Sequence, residues 1–241
     1  MYKRQLNGLL YIRGQKEDYD NWEKLGSPGW GWSDVLPYFI KSEDQERGAI
    51  PMHGTGGPQK VSDITLRRPV TSAFIEAAME AGIPPNDDFN GTDQEGVGYF
   101  QLTTHRGMRW STAKGFLKPA LNRSNLTLIT RAHTSRLLLE NDRVAGVEFL
   151  ADGQIRSARC KREVILSAGA IGSPQILQLS GIGPGSLLQE HGIPIARELP
   201  GVGQYLKDHL QIRAVYKTRS PTLNDEVSNP CLLYTSDAAD D

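Results

Sequence analysis

Residues 163–183, EVILSAGAIGSPQILQLSGIG, constrain the fold of this chain more than any other stretch. The short apolar run EVILS reads as a fully buried strand. It leads into Ala168, Gly169 and Gly172, where glycine permits a tight turn, and then into Ser173-Pro174, a pair suited to an N-cap and the first helical position. Strand, turn and helix in that order set a helix N-terminus beside backbone that a ligand can approach closely. The free N–H groups there, with roughly half a positive charge, suit a diphosphate. Any α/β crossover can use a glycine and a Ser-Pro cap, so this segment alone leaves the structural and the ligand-binding readings open. A second glycine-flanked turn, LPGVGQYLKDHL at 199–210, carries Asp208 and His209. No full G-x-G-x-x-G fingerprint occurs in the sequence.

The rest of the chain alternates irregularly between helical and strand patterns. SDVLPYFIKSED, from Ser33, reads as a capped helix with Val35, Leu36 and Phe39 on one face. PVTSAFIEAAMEAG places Val70, Phe74, Ala77, Ala78 and Ala81 at helical spacing, and Gly82 supplies the stop. A turn at NDDFNGTD, a short strand GYFQLTT and a helix STAKGFLKPAL opened by Ser111 follow. From Asn125 onward NLTLITR, SRLLLE, RVAGVEFL and QIRSARC read as short strands, with NDR and ADG as hairpin turns. A β-meander ending in EVILS is therefore expected.

A formal net charge of -1 on 241 residues, with Lys and Arg spread along the chain, gives no electrostatic footprint for nucleic acid or an anionic membrane. A small-molecule partner is expected instead. Only Cys160 and Cys231 occur, too few for a disulfide framework or a four-cysteine zinc site, and a reducing, cytoplasmic setting is the default. No apolar run approaches the roughly 18 residues of a membrane helix. The ends MYKRQ (1–5) and CLLYTSDAADD (231–241) break the surrounding pattern and are expected to be a non-native leader and tail, so a targeting signal is left open. His53, His105 and His191 read as surface histidines, His209 as structural, and Trp22 as a packing residue. Arg106 and Arg109 either face phosphate or are solvated. No His or carboxylate pattern points to a metal.

GAIGSPQILQLSGIG resembles, position by position, the second signature of the glucose-methanol-choline (GMC) flavoprotein oxidoreductases. LNGLLYIRGQKEDYD is similar to the latter half of that family's first signature, with Asn7, Tyr11, Gly14 and Asp20 in register. HGTGGP (53–58), GMRWSTAKGFL (107–117), NLTLITRAHTSRLL (125–138) and LPGVGQYLKDH (199–209) extend the likeness over residues 6 to about 220. Two departures stand out. Tyr205 occupies a position usually held by asparagine, and the glycine fingerprint and the C-terminal catalytic segment have no counterpart here.

The resemblance implies an α/β fold: an FAD/NAD(P)-binding (Rossmann-like) domain fragment with a β-meander and part of a substrate-side α+β region. It assigns residues 6–50 to an FAD-contacting segment, 51–105 to the substrate-side or cap region and 106–220 to the FAD-binding domain portion. Asn7 and Gly8 match the segment along the flavin, Thr134 the adenine contact, Ala168 and Gly169 the turn beside diphosphate and ribose, and Asp208 with His209 the turn under the cofactor. It further implies noncovalent FAD and oxidation of a primary alcohol to an aldehyde, with hydride passing to the flavin. The electron acceptor is left open, with one other than oxygen favoured. In the family a histidine near the C-terminus, paired with histidine or asparagine, takes the alcohol proton; no residue of this sequence matches it, so no catalytic residue is assigned. A lyase that keeps FAD structurally and a non-catalytic nucleotide-binding module are the alternatives. Without the fingerprint, the 241-residue chain is expected to retain FAD weakly or not at all.

Overall fold

The computed structural model describes residues 8–208, 210–212, 214–219 and 222. The chain divides into two compact units, Met1–Leu126 with Tyr216–Asp241, and Thr127–Val215.

In the first unit, α1 (Lys16–Lys24) opens with a capping box in which the Gln15 N–H donates to Asp18 Oδ2 at 2.9 Å. Glu17 and Asp18 in its first turn and Lys24 in its last complement the helix dipole. The next helix, α2 (Trp32–Ser42), starts at Gly31 rather than at Ser33, because the Trp32 N–H is taken by Asp20 Oδ1 of α1 at 2.9 Å. It runs directly into β1 (Glu43–Gln45), which pairs in parallel with β2 (Gln59–Val61).

Helix α3 (Pro69–Glu80) matches its sequence periodicity, with proline in the first turn and Gly82 at φ +90 closing the end. GYFQLTT forms isolated bridges, Leu102 pairing with Leu10 and with Ser62. Only then does β3 (Thr104–His105) pair with β4 (Met108–Arg109). The helix after Ser111 is a π-helical turn (Ala113–Leu117) followed by the short α4 (Lys118–Ala120). A side chain at Gly115 would come within 2.4 Å of the Pro58 carbonyl, so glycine is what lets this turn approach the neighbouring backbone.

The second unit carries the expected β-meander: β5 (His133–Glu140), β6 (Arg143–Ala151) and β7 (Gln154–Arg159), antiparallel in that order. Asn141, Asp142, Asp152 and Gly153 all take positive φ, the conformation that two-residue hairpin turns demand. Beyond the meander lie α5 (Gly169–Leu179), β8 (Ile182–Gly183), α6 (Gly185–Glu190) and β9 (Arg197–Glu198), β9 parallel to β8. Leu137, Phe149, Ala151, Ile176 and Leu188 form the core of this unit, and Ser180 Oγ accepts the Leu137 N–H at 2.8 Å, fastening the end of α5 to β5.

Two expected strands do not form. NLTLITR and EVILS join no ladder among the described residues, and Ile129 is 50% and Ile165 78% exposed. A strand exists by the ladder it shares with a neighbour, and among the described residues none lies beside either segment. The mixed helix and strand content with a β-meander otherwise agrees with the expected fold class.

Candidate functional site

The turn that opens EVILSAGAIGSP is placed by Gly169, whose φ of +84 lies in the left-handed region. The helix begins at Gly169, with Ala168 at the N-cap, five residues ahead of the expected N-cap, Ser173. Ser173 instead reaches back from inside the helix, its Oγ accepting the Ala168 N–H at 3.0 Å, and Pro174 lies within α5. The Ser-Pro pair thus reads as a helix start in sequence because the true start, at the glycine, has no polar cap of its own.

Residues at a helix start have N–H groups without intrahelical partners. At α5 no side-chain hydrogen bond caps the helix and no acidic residue occupies the first turn, so no side chain there offsets the positive end of the dipole. A groove of about 590 Å³ runs alongside, lined by Ala170, Ile171, Pro174, Gln178 and, from the second glycine-flanked turn, Gly201–Gln204 and Leu206. The two motifs that the sequence marks separately therefore form the walls of one groove. Gln178 holds them in register, its Nε2 donating to the Val202 carbonyl at 3.1 Å. Gly203 has φ +79, and a Cβ there would fall 2.6 Å from that same Nε2.

Among the other candidates, Asp208 is exposed, two residues past Leu206 at the groove wall. Thr134 is half-buried on β5, opposite Phe149 and next to an irregularity in the strand register. Gly8 is exposed and belongs to the first unit. Asn7 and His209 lie outside the described residues. Tyr205 is 88% exposed with φ +56.

The first unit also holds a polar cluster that the sequence does not signal. Its buried residues include more polar members (Arg13, Glu43, Gln45, His53, Asn90, Gln101) than apolar ones (Val61, Ala78, Phe89). Glu43 has no solvent exposure; it receives Arg13 Nη2 at 2.8 Å, His53 Nδ1 at 2.9 Å and the Gly54 N–H at 3.1 Å. His53 Nε2 reaches Asp88 Oδ2 at 2.9 Å. Asp88 Oδ1 accepts the Asn90 N–H at 3.0 Å, and Asn90 Oδ1 accepts the Arg13 N–H at 2.7 Å, so the contacts close a ring.

His53 is thus buried, not on the surface as its turn-rich surroundings suggest. Burial pushes its pKa down, but carboxylates on both ring nitrogens outweigh that and hold it above the ordinary value. The doubly protonated ring is the form in which both nitrogens donate to carboxylates, and Gln45 Nε2 also lies 3.3 Å from Nδ1. Arg13 stacks near Phe39, its Cζ 5.3 Å from the ring centroid. Trp22, half exposed, joins Tyr19, Trp30, Trp32 and Phe39 in edge-on and tilted aromatic contacts, in keeping with a packing role. Among the described residues, no helix is long and apolar enough to cross a membrane, and no group of three His, Cys, Asp or Glu residues is arranged to hold a metal ion.

A family model described as GMC oxidoreductase matches residues 5–211. Choline dehydrogenase, mitochondrial, of Homo sapiens is 47% identical over 207 residues, covering 86% of this chain and 35% of that protein. The oxygen-dependent choline dehydrogenase of Sinorhizobium fredii is 46% identical over 206 residues, 86% of this chain and 37% of its own length. The crystal structure of pyridoxine 4-oxidase from Mesorbium loti superposes with a TM-score of 0.76 at 32% identity, over 81% of this chain and 39% of that one. The chain thus spans little more than a third of the length of these relatives.

Proposed function

The chain belongs to the GMC oxidoreductase family, and on that premise we propose that the whole protein oxidises the CH–OH group of a small alcohol of the choline class, primary alcohol to aldehyde, with FAD as cofactor. The observation that carries this reading is the uncapped, acid-free start of α5 opening beside a groove shared with the 201–206 turn. A diphosphate needs free backbone N–H groups, a positive potential and close backbone approach, and this helix start offers all three. When bound, FAD supplies the hydride-accepting chemistry.

The chain's own residues supply placement. Ala168 and Gly169 are proposed to lie beside the diphosphate and ribose, Thr134 near the adenine, and Asp208 with His209 under the cofactor. Gly8, with Asn7, is proposed to run along the flavin ring, and residues 51–105 to form the substrate side. Gln178 keeps the glycine turn against the helix through its hydrogen bond to the Val202 carbonyl. No catalytic base is assigned among the described residues.

The test is anaerobic addition of choline, then of other primary alcohols, to the purified whole protein. Loss of the flavin's visible absorbance with formation of one aldehyde per flavin reduced supports the reading. Bound FAD that no alcohol reduces would point to the lyase alternative, and a protein that binds no FAD to the nucleotide-binding module. Repeating turnover with oxygen and with an artificial acceptor identifies where the electrons go.

A further inference from the structure

The ring Arg13–Glu43–His53–Asp88–Asn90 is buried, ionic and tied to one piece of backbone. Arg13 enters it twice, through its guanidinium on Glu43 and through its N–H on Asn90. Asn90 Nδ2 donates to the Tyr11 carbonyl at 3.0 Å, and Gln94 Nε2 to the Arg13 carbonyl at 2.8 Å. A second arm runs from Gln45 to Gln101, whose side-chain amides pair reciprocally at 2.8 Å. The Gln101 carbonyl accepts the Tyr11 N–H at 2.9 Å, and the Thr103 N–H donates to the Leu9 carbonyl at 2.8 Å. The backbone groups of Leu9, Tyr11 and Arg13 are thus tied to Thr103, Gln101, Asn90 and Gln94, and Gln45 Nε2 joins the second arm to Glu43 at 3.4 Å and to His53 Nδ1 at 3.3 Å. Leu9 sits in the left-handed region at φ +68, a conformation that costs a bulky residue free energy and persists only where its surroundings impose it.

We propose that this ring is a positioning unit: with His53 as an imidazolium between Glu43 and Asp88, it fixes the backbone of residues 9–14 and through it the Gly8 segment that lies along the flavin. The proposal rests on the FAD reading given above. Arg13, Glu43, His53 and Asp88 act here as positioning residues. The ring carries two positive and two negative charges, Arg13 and His53 against Glu43 and Asp88. Tyr11 is the other titratable group drawn into it, its pKa raised by burial. Loss of the His53 proton leaves a lone pair facing a carboxylate and an unbalanced negative charge in a ring buried except at Asp88. One side of the ring then opens, and the clamp on Arg13 weakens at the Asn90 arm. The raised pKa of His53 moves that event to higher pH than for an ordinary histidine.

The experiment uses the whole FAD-loaded protein, comparing wild type with Asp88→Asn, at the partly exposed end of the ring, and with His53→Gln. Deuterium exchange of the peptide spanning residues 8–14 is expected to rise about tenfold in Asp88→Asn at neutral pH. Exchange around Leu188 in the other unit is expected to stay as in wild type, and FAD affinity to fall about tenfold, on the order of 1.4 kcal/mol. Wild-type FAD affinity is expected to fall in the same way as pH rises, while His53→Gln shows a flat pH profile. Unchanged exchange and affinity in Asp88→Asn would overturn the proposal while leaving the FAD reading intact. Uniform loosening of both units would reduce the ring to general stability and overturn it as well. A wild type that binds no FAD in titration would refute the FAD reading, and this inference with it.

Discussion

Replacing Glu43 by glutamine keeps the side-chain volume and removes one negative charge from a position with no solvent exposure. The carboxylate takes hydrogen bonds from Arg13, His53 and the Gly54 N–H, at 2.8, 2.9 and 3.1 Å. All three reach the same oxygen, Oε2, so a glutamine oxygen placed there can keep them, but the amide NH2 at the Oε1 position then meets His53 Nδ1 at 3.0 Å and the Gln45 Nε2 donor at 3.4 Å. The larger effect is electrostatic, because the Arg13 side chain, only 1% exposed, is left without its counter-charge. Removing one partner of a buried ion pair costs about 3–5 kcal/mol. Against a total stability of about 5–15 kcal/mol, that is a fifth or more of what holds a domain of this kind folded.

Urea unfolding followed by tryptophan fluorescence reads this directly. Trp22, Trp30, Trp32 and Trp110 are the four tryptophans of the chain, and all lie in the first unit. Glu43→Gln is expected to shift the fluorescence midpoint to much lower urea at an unchanged slope. Arg13→Met combined with Glu43→Leu, which removes the Arg13–Glu43 pair and refills the space, is expected to recover part of the loss, because His53 Nδ1 and the Gly54 N–H still lose their acceptor. A Glu43→Gln protein within about 1 kcal/mol of wild type would refute the reasoning, since the buried Arg13 charge would then have found another partner.

The pH dependence of stability follows from His53. Its folded pKa is raised above the unfolded value of about 6.5, so its contribution is complete below that pH and is lost as pH rises through the folded value. The fluorescence midpoint is therefore expected to fall on the alkaline side in wild type, and to fall less in His53→Gln. Leu188→Ala removes a 1% exposed core side chain and is expected to cost about 2–5 kcal/mol in the second unit, measured by circular dichroism and leaving the tryptophan transition unmoved. Gly203→Ala places a Cβ 2.6 Å from Gln178 Nε2 at a φ of +79. A cost of about 1–2 kcal/mol and a lower flavin-to-protein ratio in the purified whole protein are expected, against an unchanged ratio if the turn is not a groove wall.

The sequence by itself determined what rests on local chemistry. Helix α3 follows from its apolar spacing and Gly82, and the meander from two hairpins whose Asn-Asp and Asp-Gly pairs take positive φ. The long run 169–183, with the motifs around it, carried the family resemblance. Tertiary structure decided where the elements end and what they face. EVILS and NLTLITR have strand composition but, among the described residues, no neighbour paired with them, so apolar pattern without a ladder did not make strands. The start of α5 was set by a glycine in left-handed geometry, which moved Ser173 from the cap position into the helix. The His53 ring could not be read from the order of residues. Arg13 meets Glu43 across 30 positions and Asn90 across 77, and a histidine whose sequence neighbours are turn residues became buried because distant carboxylates closed on both of its nitrogens. Hydrogen bonds between nearby residues leave a mark in the sequence; a buried charge and its partner are joined only by the fold.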